Sequence, residues 1–171
     1  MNDRIHWSRK EKNLLVPAIL YKDEIEKAFA KDLYTNNYFY YNGYPHCNSL
    51  PEINTEDNHY QYAIVDNHEK VIGYLSYKID DATDTVDCFG LYSFDRGNYI
   101  IGKDLFEEME RLVKKYRRIE WKMIGGNPVK KHYDKFCKKH NGHIAVLHDV
   151  CKDPDGKYCN VYFYEIINAK H

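Results

Sequence analysis

The sequence predicts a single α+β domain, with a mixed, mostly antiparallel sheet, one parallel β-α-β unit and helices on both faces. Three observations carry that prediction. Two strand-like runs, 85–94 and 118–124, flank the clearest amphipathic segment, Ile100 to Tyr116, so they are expected to be parallel and joined by a right-handed crossover. Two further pairs of strand-like runs close around turn-forming residues at 66–70 and 153–156, which makes the rest of the sheet antiparallel. Finally, Trp121 to Phe136 reads as a short buried strand, a break at Gly125-Gly126, and a helix that starts sharply.

Taken in order, the apolar run Asn13 to Tyr21 is either an edge strand or an extended lead-in, because Pro17 removes a ladder donor. Lys22 to Tyr34 reads as a helix, with Ile25, Phe29 and Leu33 at four-residue spacing. Tyr38 to Tyr41 is followed by turn chemistry at Asn42-Gly43-Tyr44-Pro45, and Asn48 to Asn58 is polar and loop-like. Tyr60–Val65 and Val71–Ile79 form a predicted hairpin. Thr85 to Phe94 is a third strand, with Gly90 as the expected bulge. Ile101, Leu105, Met109, Leu112, Val113 and Tyr116 share one face of the following helix.

After the strand Arg118–Ile124, Asn127 is a suitable N-cap and Pro128 a suitable first helical residue. Val129, Tyr133, Phe136 and Cys137 lie on one face of that helix, which ends at Asn141-Gly142. His143–Val150 and Tyr158–Ile167 are the last two strands, joined by the turn at Asp153-Pro154-Asp155-Gly156. The single domain thus divides into a helical, aromatic-rich lead-in, 1–58, and a core, 59–171.

At 171 residues the chain suits one domain with its own core. A net charge of -1 argues against a dedicated nucleic-acid binder. The segment Met1 to Lys12 has no apolar run like a signal peptide, and no stretch is long and apolar enough to span a membrane. Five scattered cysteines read most simply as reduced thiols in a cytoplasm. The 17 tyrosines suit both cores and wet clefts, since each buries a ring and keeps a polar tip.

Three pieces of sequence resemble the GNAT superfamily of N-acetyltransferases, alongside the element order from Tyr60 to Ile167. They are the loop Arg96-Gly97-Asn98-Tyr99-Ile100-Ile101-Gly102, the step Ile124-Gly125-Gly126-Asn127-Pro128, and Tyr133-Asp134-Lys135-Phe136. The resemblance implies acetyl-CoA as co-substrate, with its pyrophosphate on backbone amides of the loop that opens the long helix. Arg96, Gly97, Asn98, Gly102 and Lys103 are then expected at the cofactor, together with the strand segment Leu91-Tyr92-Ser93 and Asn127. A helix N-terminus offers amides and partial positive charge to such an anion. The family's loop usually packs two glycines around one residue near its end; here Tyr99 and Ile100 intrude, so the loop is longer or differently wound, and Asp95 adds a negative charge. An ordinary strand-to-helix turn therefore stays open for the loop, and a pure N-cap for Asn127.

By the same resemblance Tyr133 is the general acid that protonates the departing thiolate, and Asp87 takes the proton of the attacking amine. Tyr133 as a core residue and Asp87 on a solvated face are the alternatives. The resemblance puts the aromatic cluster Tyr34 to Tyr44 at one wall of the acceptor pocket, and with the acids Glu52, Glu56, Asp57, Asp80, Asp81 and Asp84 it suits a cation, so a small amine or a basic peptide is the expected acceptor; solvated loops with core tyrosines are the alternative. A homodimer is compatible with the sequence. The scatter of Cys137, His140, His143, His148 and Cys151 fits no zinc spacing, so no metal is expected. The basic residues from Arg111 to Arg118 and Lys130 to Lys139 read as solvated helix backs and C-terminal ends or as a nucleic-acid patch. The competing function is a non-catalytic CoA- or ligand-binding or interaction module on the same fold.

Overall fold

The computed structural model describes residues 13–35, 50–153 and 155–168. The chain runs β1 (Leu14–Pro17), a 3-10 turn (Ala18–Tyr21), α1 (Lys22–Thr35), β2 (His59–Val65), β3 (Val71–Asp80), β4 (Thr85–Ser93), α2 (Tyr99–Lys115), β5 (Arg118–Ile124), α3 (Lys130–Lys139), β6 (His143–Lys152) and β7 (Tyr158–Ile167). The seven strands form one sheet in the order β1-β2-β3-β4-β5-β7-β6. Every neighbouring pair is antiparallel except β4 and β5. The predicted fold class is therefore the observed one.

Alternation along the strands builds two cores. On one face, Ala63, Val65, Tyr74 and Tyr92 pack against Ile25 and Phe29 of α1. On the other, Ile64, Leu75, Val86, Ile119 and Trp121 meet the apolar stripes of α2 and α3. Period-two side chains in the sheet and period-3.6 side chains in the helices thus leave helices on both faces. The segment 13–21 resolves as an edge strand with a 3-10 turn, so the lead-in is not purely helical. Buried Asn13 donates to Asp104 Oδ2 at 2.8 Å and ties that edge to α2.

Two boundaries differ from the sequence reading. The bulge in β4 is not at Gly90: Ser76 pairs with Gly90 while Lys78 pairs with Asp87, so the extra residue falls at Cys88–Phe89, where Cys88 has a φ of 51°. Gly90 sits in the ladder itself. Regular helix α3 begins at Lys130, three residues after Asn127. Asn127 still caps, since its Oδ1 accepts from Val129 N at 3.1 Å, but the turn it caps closes with Lys130 N donating to Asn127 O. The first turn is wound more tightly than an α-helix, as is common at helix ends. The cluster at 38–45, the outer lead-in and Pro154 lie outside the described residues.

The end of α3 is a Schellman motif, in which Gly142 N donates to Cys137 O and Asn141 N to Lys138 O. Asn141, with a φ of 54°, takes the left-handed position usually given to glycine. Gly142 is needed for space instead: a Cβ there would stand 2.5 Å from Glu165 O and 2.6 Å from Cys137 Sγ. Among the described residues no helix is long and apolar enough to cross a membrane. Because backbone blocks the added methyl, Gly142→Ala should destabilise the fold by about 1–3 kcal/mol. At roughly 2–4 °C per kcal/mol this is a melting temperature lowered by several degrees, readable by thermal denaturation.

Candidate functional site

The parallel pair is where the sheet opens. β4 and β5 are in register only at Thr85↔Arg118 and Val86↔Ile119, after which they part. The bulge at Cys88 follows at once and adds local twist, turning β4 away from its neighbour. From Asp87 onward β4 pairs with β3 alone. A cleft of about 550 Å³ occupies the opening, a size that suits a small-molecule ligand. Its lining comes from both faces of the sheet.

On the face covered by α2 and α3 the cleft is walled by Trp121, Tyr133 and Tyr164. Trp121 stacks flat on Tyr164, with centroids 5.0 Å apart, and the Tyr133 ring lies 5.6 Å from Trp121. Four tyrosines line the cleft, and three have committed hydroxyls. Tyr164 donates to Asp134 Oδ1 at 2.8 Å, Tyr74 accepts from Gln61, and Tyr92 donates to Asp32. The Tyr133 hydroxyl has no hydrogen-bond partner among the described residues. Tyr133 is 7% exposed, and burial alone pushes its pKa well up, so it stays protonated at neutral pH. Asp134, next in the chain, is held below the usual carboxylate range despite its partial burial, by hydrogen bonds from Lys130 and Tyr164.

On the opposite face the cleft carries charge. Arg118 spans Glu120 and Glu165, at 2.8 and 2.9 Å, and His143 Nδ1 stands 3.8 Å from Glu165. Asp87 lines the cleft where the strands part, and its Oδ1 is buried with no hydrogen-bond partner among the described residues. An unpaired buried acceptor is costly, and functional sites are where such costs are retained. Neighbouring Cys88 has its pKa raised by burial and by Asp87, which makes it a poor nucleophile.

The residues expected at a cofactor fall into two groups. Leu91, Tyr92 and Asn127 line the cleft with Asp87 and Tyr133. Ser93, Arg96, Gly97, Asn98, Gly102 and Lys103 do not. Gly97 has a φ of 90°, a conformation that favours glycine, and Asn98 caps α2 by accepting from Ile100 N at 3.1 Å. Asn98 also donates to Asp95 Oδ2, which fixes a carboxylate beside the helix N-terminus. Arg96 lies over the Tyr92 ring, 5.5 Å from its centroid. A Cβ on Gly97 or Gly102 would meet nothing within 4 Å, so both backbones are open to approach. Lys103 pairs with Glu107 along the exposed side of α2.

The acids expected near an acceptor are elsewhere. Asp80 binds its own turn through Ala82 N and Thr83 Oγ1, and Asp84 accepts from Arg117 N. Glu52, Glu56, Asp57 and Asp81 do not line the cleft, and Tyr34 is 86% exposed. The carboxylates that do line it, besides Asp87, are Glu120 and Glu165. Alternation in β5 marks Arg118, Glu120 and Lys122 as sharing a face. The pairing of Glu120 with Glu165 follows only from β7 inserting beside β5. Much of the basic stretch is ion-paired: Arg111 with Glu108, Lys130 with Asp134 and Lys139 with Glu110.

No family model matches the chain, and no curated protein matches it by sequence. Solved structures match it along nearly its whole length. A GCN5-related N-acetyltransferase from Kribbella flavida superposes with a TM-score of 0.66 at 13% identity, over 91% of this chain and 98% of that one. A GNAT-family acetyltransferase from Streptococcus pneumoniae gives 0.62 at 14% identity, over 92% of this chain and 100% of that one. The microcin C7 self-immunity acetyltransferase MccE, solved in complex with acetyl-CoA and AMP, gives 0.60 at 16% identity, over 92% and 93%. The chain is built on the GNAT N-acetyltransferase fold.

Proposed function

We propose that this chain is an acetyl-CoA-dependent N-acetyltransferase that moves the acetyl group to an amine by direct attack, with Tyr133 as general acid. The observation that carries the reading is the opening through the sheet, which has an uncommitted phenol on one side and a buried, partnerless carboxylate oxygen on the other. The fold's occurrence among acetyltransferases, one of them holding acetyl-CoA, supports it.

The residues fit an extended co-substrate arm. Past Val86, β4 has no strand partner toward β5, so the backbone of Leu91, Tyr92 and Ser93 offers strand-like hydrogen bonds to amides lying in the gap. The open glycine backbones at 97 and 102 leave room for phosphates at the start of α2, with Arg96 and Lys103 as nearby cations. Acetyl-CoA supplies an activated acyl group, and the protein's part is position and proton traffic. Asp87 accepts the proton that the ammonium must lose. Tyr133 keeps its proton until a thiolate forms, then donates it. Burial raises the phenol and destabilises a thiolate in the same cleft, so the transfer remains matched.

Asp87, with Glu120 and Glu165 partly balanced by Arg118, favours a cationic acceptor, either a small amine or a basic peptide. The rival reading, a CoA- or ligand-binding module without turnover, draws on Asn98, which caps α2 with its own side chain and holds Asp95 where a phosphate would approach.

Acetyl-CoA at about 100 times its Kd should raise the melting temperature by about 5–10 °C. No shift at millimolar acetyl-CoA would remove the cofactor assignment. With an amine acceptor, Tyr133→Phe should slow thiol release about 100-fold while leaving acetyl-CoA affinity unchanged, since no hydrogen bond is lost with the hydroxyl. Asp87→Asn should slow turnover by a similar factor, also at unchanged affinity. Because burial holds the phenol protonated, the wild-type rate should not fall between about pH 8 and 10, as it would for an exposed tyrosine acid. Cofactor binding with no thiol release across primary amines and basic peptides would favour the module.

A further inference from the structure

Cys151 in β6 and Cys159 in β7 are directly opposite each other in the sheet, and their sulfurs are 3.1 Å apart as thiols. That is inside ordinary sulfur contact and about 1 Å from an S–S bond length. The pair is framed on both sides. Toward the sheet, β6 bulges between Leu147 and Cys151, where Asp149 has a φ of 55° and its N–H donates to Asn160 Oδ1. Toward the hairpin end, Lys152 pairs with Tyr158, and Asp153 Oδ1 accepts from Asp155 N and Lys157 N. Register is therefore pinned above and below the two sulfurs. The other described cysteines are placed differently. Cys137 is buried, with its sulfur against the carbonyls of His143 and Glu165, and Cys88 is exposed in the β4 bulge, beside Asp87.

We propose that Cys151 and Cys159 are a covalent modification site, forming a reversible intrachain disulfide by exchange with a small-molecule disulfide of the glutathione type. Cys159 is half-buried and Cys151 is 4% exposed, so Cys159 is the sulfur that an external disulfide reaches. The Cys159 thiolate attacks it, forms a mixed disulfide and releases one small thiol. The Cys151 thiolate then attacks the Cys159 sulfur and releases the second. Two protein thiols are oxidised, one small disulfide is reduced to two thiols, and the protons lost by the cysteines end on those thiols. Directly opposed strand positions hold Cβ atoms about 4.5–5.5 Å apart, wider than the ~3.8 Å of a relaxed disulfide. The bond therefore draws the strands slightly together at this pair. Cys151 shares its apolar cluster with Ile124 and Val161, which line the cleft, so the bond fastens the hairpin end to that wall.

Lys152 and Lys157 lie between the two cysteines, so trypsin separates them into peptides 140–152 and 158–170. After treatment of the full chain with oxidised glutathione and alkylation, a non-reducing peptide map should contain these two peptides linked. The linked mass should vanish on reduction. The oxidised chain should melt a few degrees higher than the reduced one, and Cys159→Ser should abolish both the link and the shift. Both thiols fully alkylated after oxidation would overturn the proposal. So would glutathione persisting on Cys159, or either cysteine linked to a different one. None of these readouts needs acyl transfer, so they stand apart from the enzymatic reading.

Discussion

The structure depends on one local event, the parting of β4 from β5 after two residue pairs. A parallel pair in the middle of a seven-stranded sheet would ordinarily stay zipped, since each buried backbone group left unpaired costs free energy. Here the ladder stops at Val86 and Ile119, and the bulge at Cys88 takes β4 off on a different course. The cleft, its two chemically distinct walls and the exposure of β4's backbone all follow from that divergence.

The cost of the opening is offset beneath it. Trp121, Tyr133, Phe136, Phe106 and Tyr164 form a continuous aromatic cluster that joins β5 and β7 to α2 and α3. Aromatic pairs of this kind add roughly 0.5–1.5 kcal/mol each beyond area burial. The same cluster fixes the Tyr133 ring, so its hydroxyl is held by packing rather than by hydrogen bonds. Across the cleft on the α1 side, Tyr92 is held in the opposite manner, by Asp32 and by Arg96. A phenol positioned by ring contacts keeps its proton available; one positioned by a carboxylate does not.

Element order and the two hairpins were legible because they rest on short-range signals: period, turn chemistry and the length of the α2 crossover. The strand pairing β5-β7-β6 is legible only as antiparallel, so the meeting of Glu120, Glu165 and His143 is not, whereas Asp80 and Asp84, conspicuous in the sequence, bind nearby backbone and turn groups. Gly90 attracted the bulge assignment because glycine marks bulges on average, yet Cys88 takes the left-handed conformation in its place. The delay between Asn127 and the start of α3 likewise has a local cause. Gly126, with a φ of 91°, and the tight turn at 127–130 take up three residues before i→i+4 bonding settles in.

The division of the cleft between two faces bears on what it can do. A proton donor and a proton acceptor on the same wall would neutralise each other by direct hydrogen bonding. Tyr133 and Asp87 avoid this because they come from different layers, one from helix α3 and one from a strand position whose side chain alternates to the face opposite Val86. They meet only through whatever occupies the gap. A molecule threaded there would replace the missing β4–β5 ladder along its length and present one end to each face. The sheet's discontinuity is thus what keeps the Tyr133 phenol and the Asp87 carboxylate from meeting directly while both line one cleft.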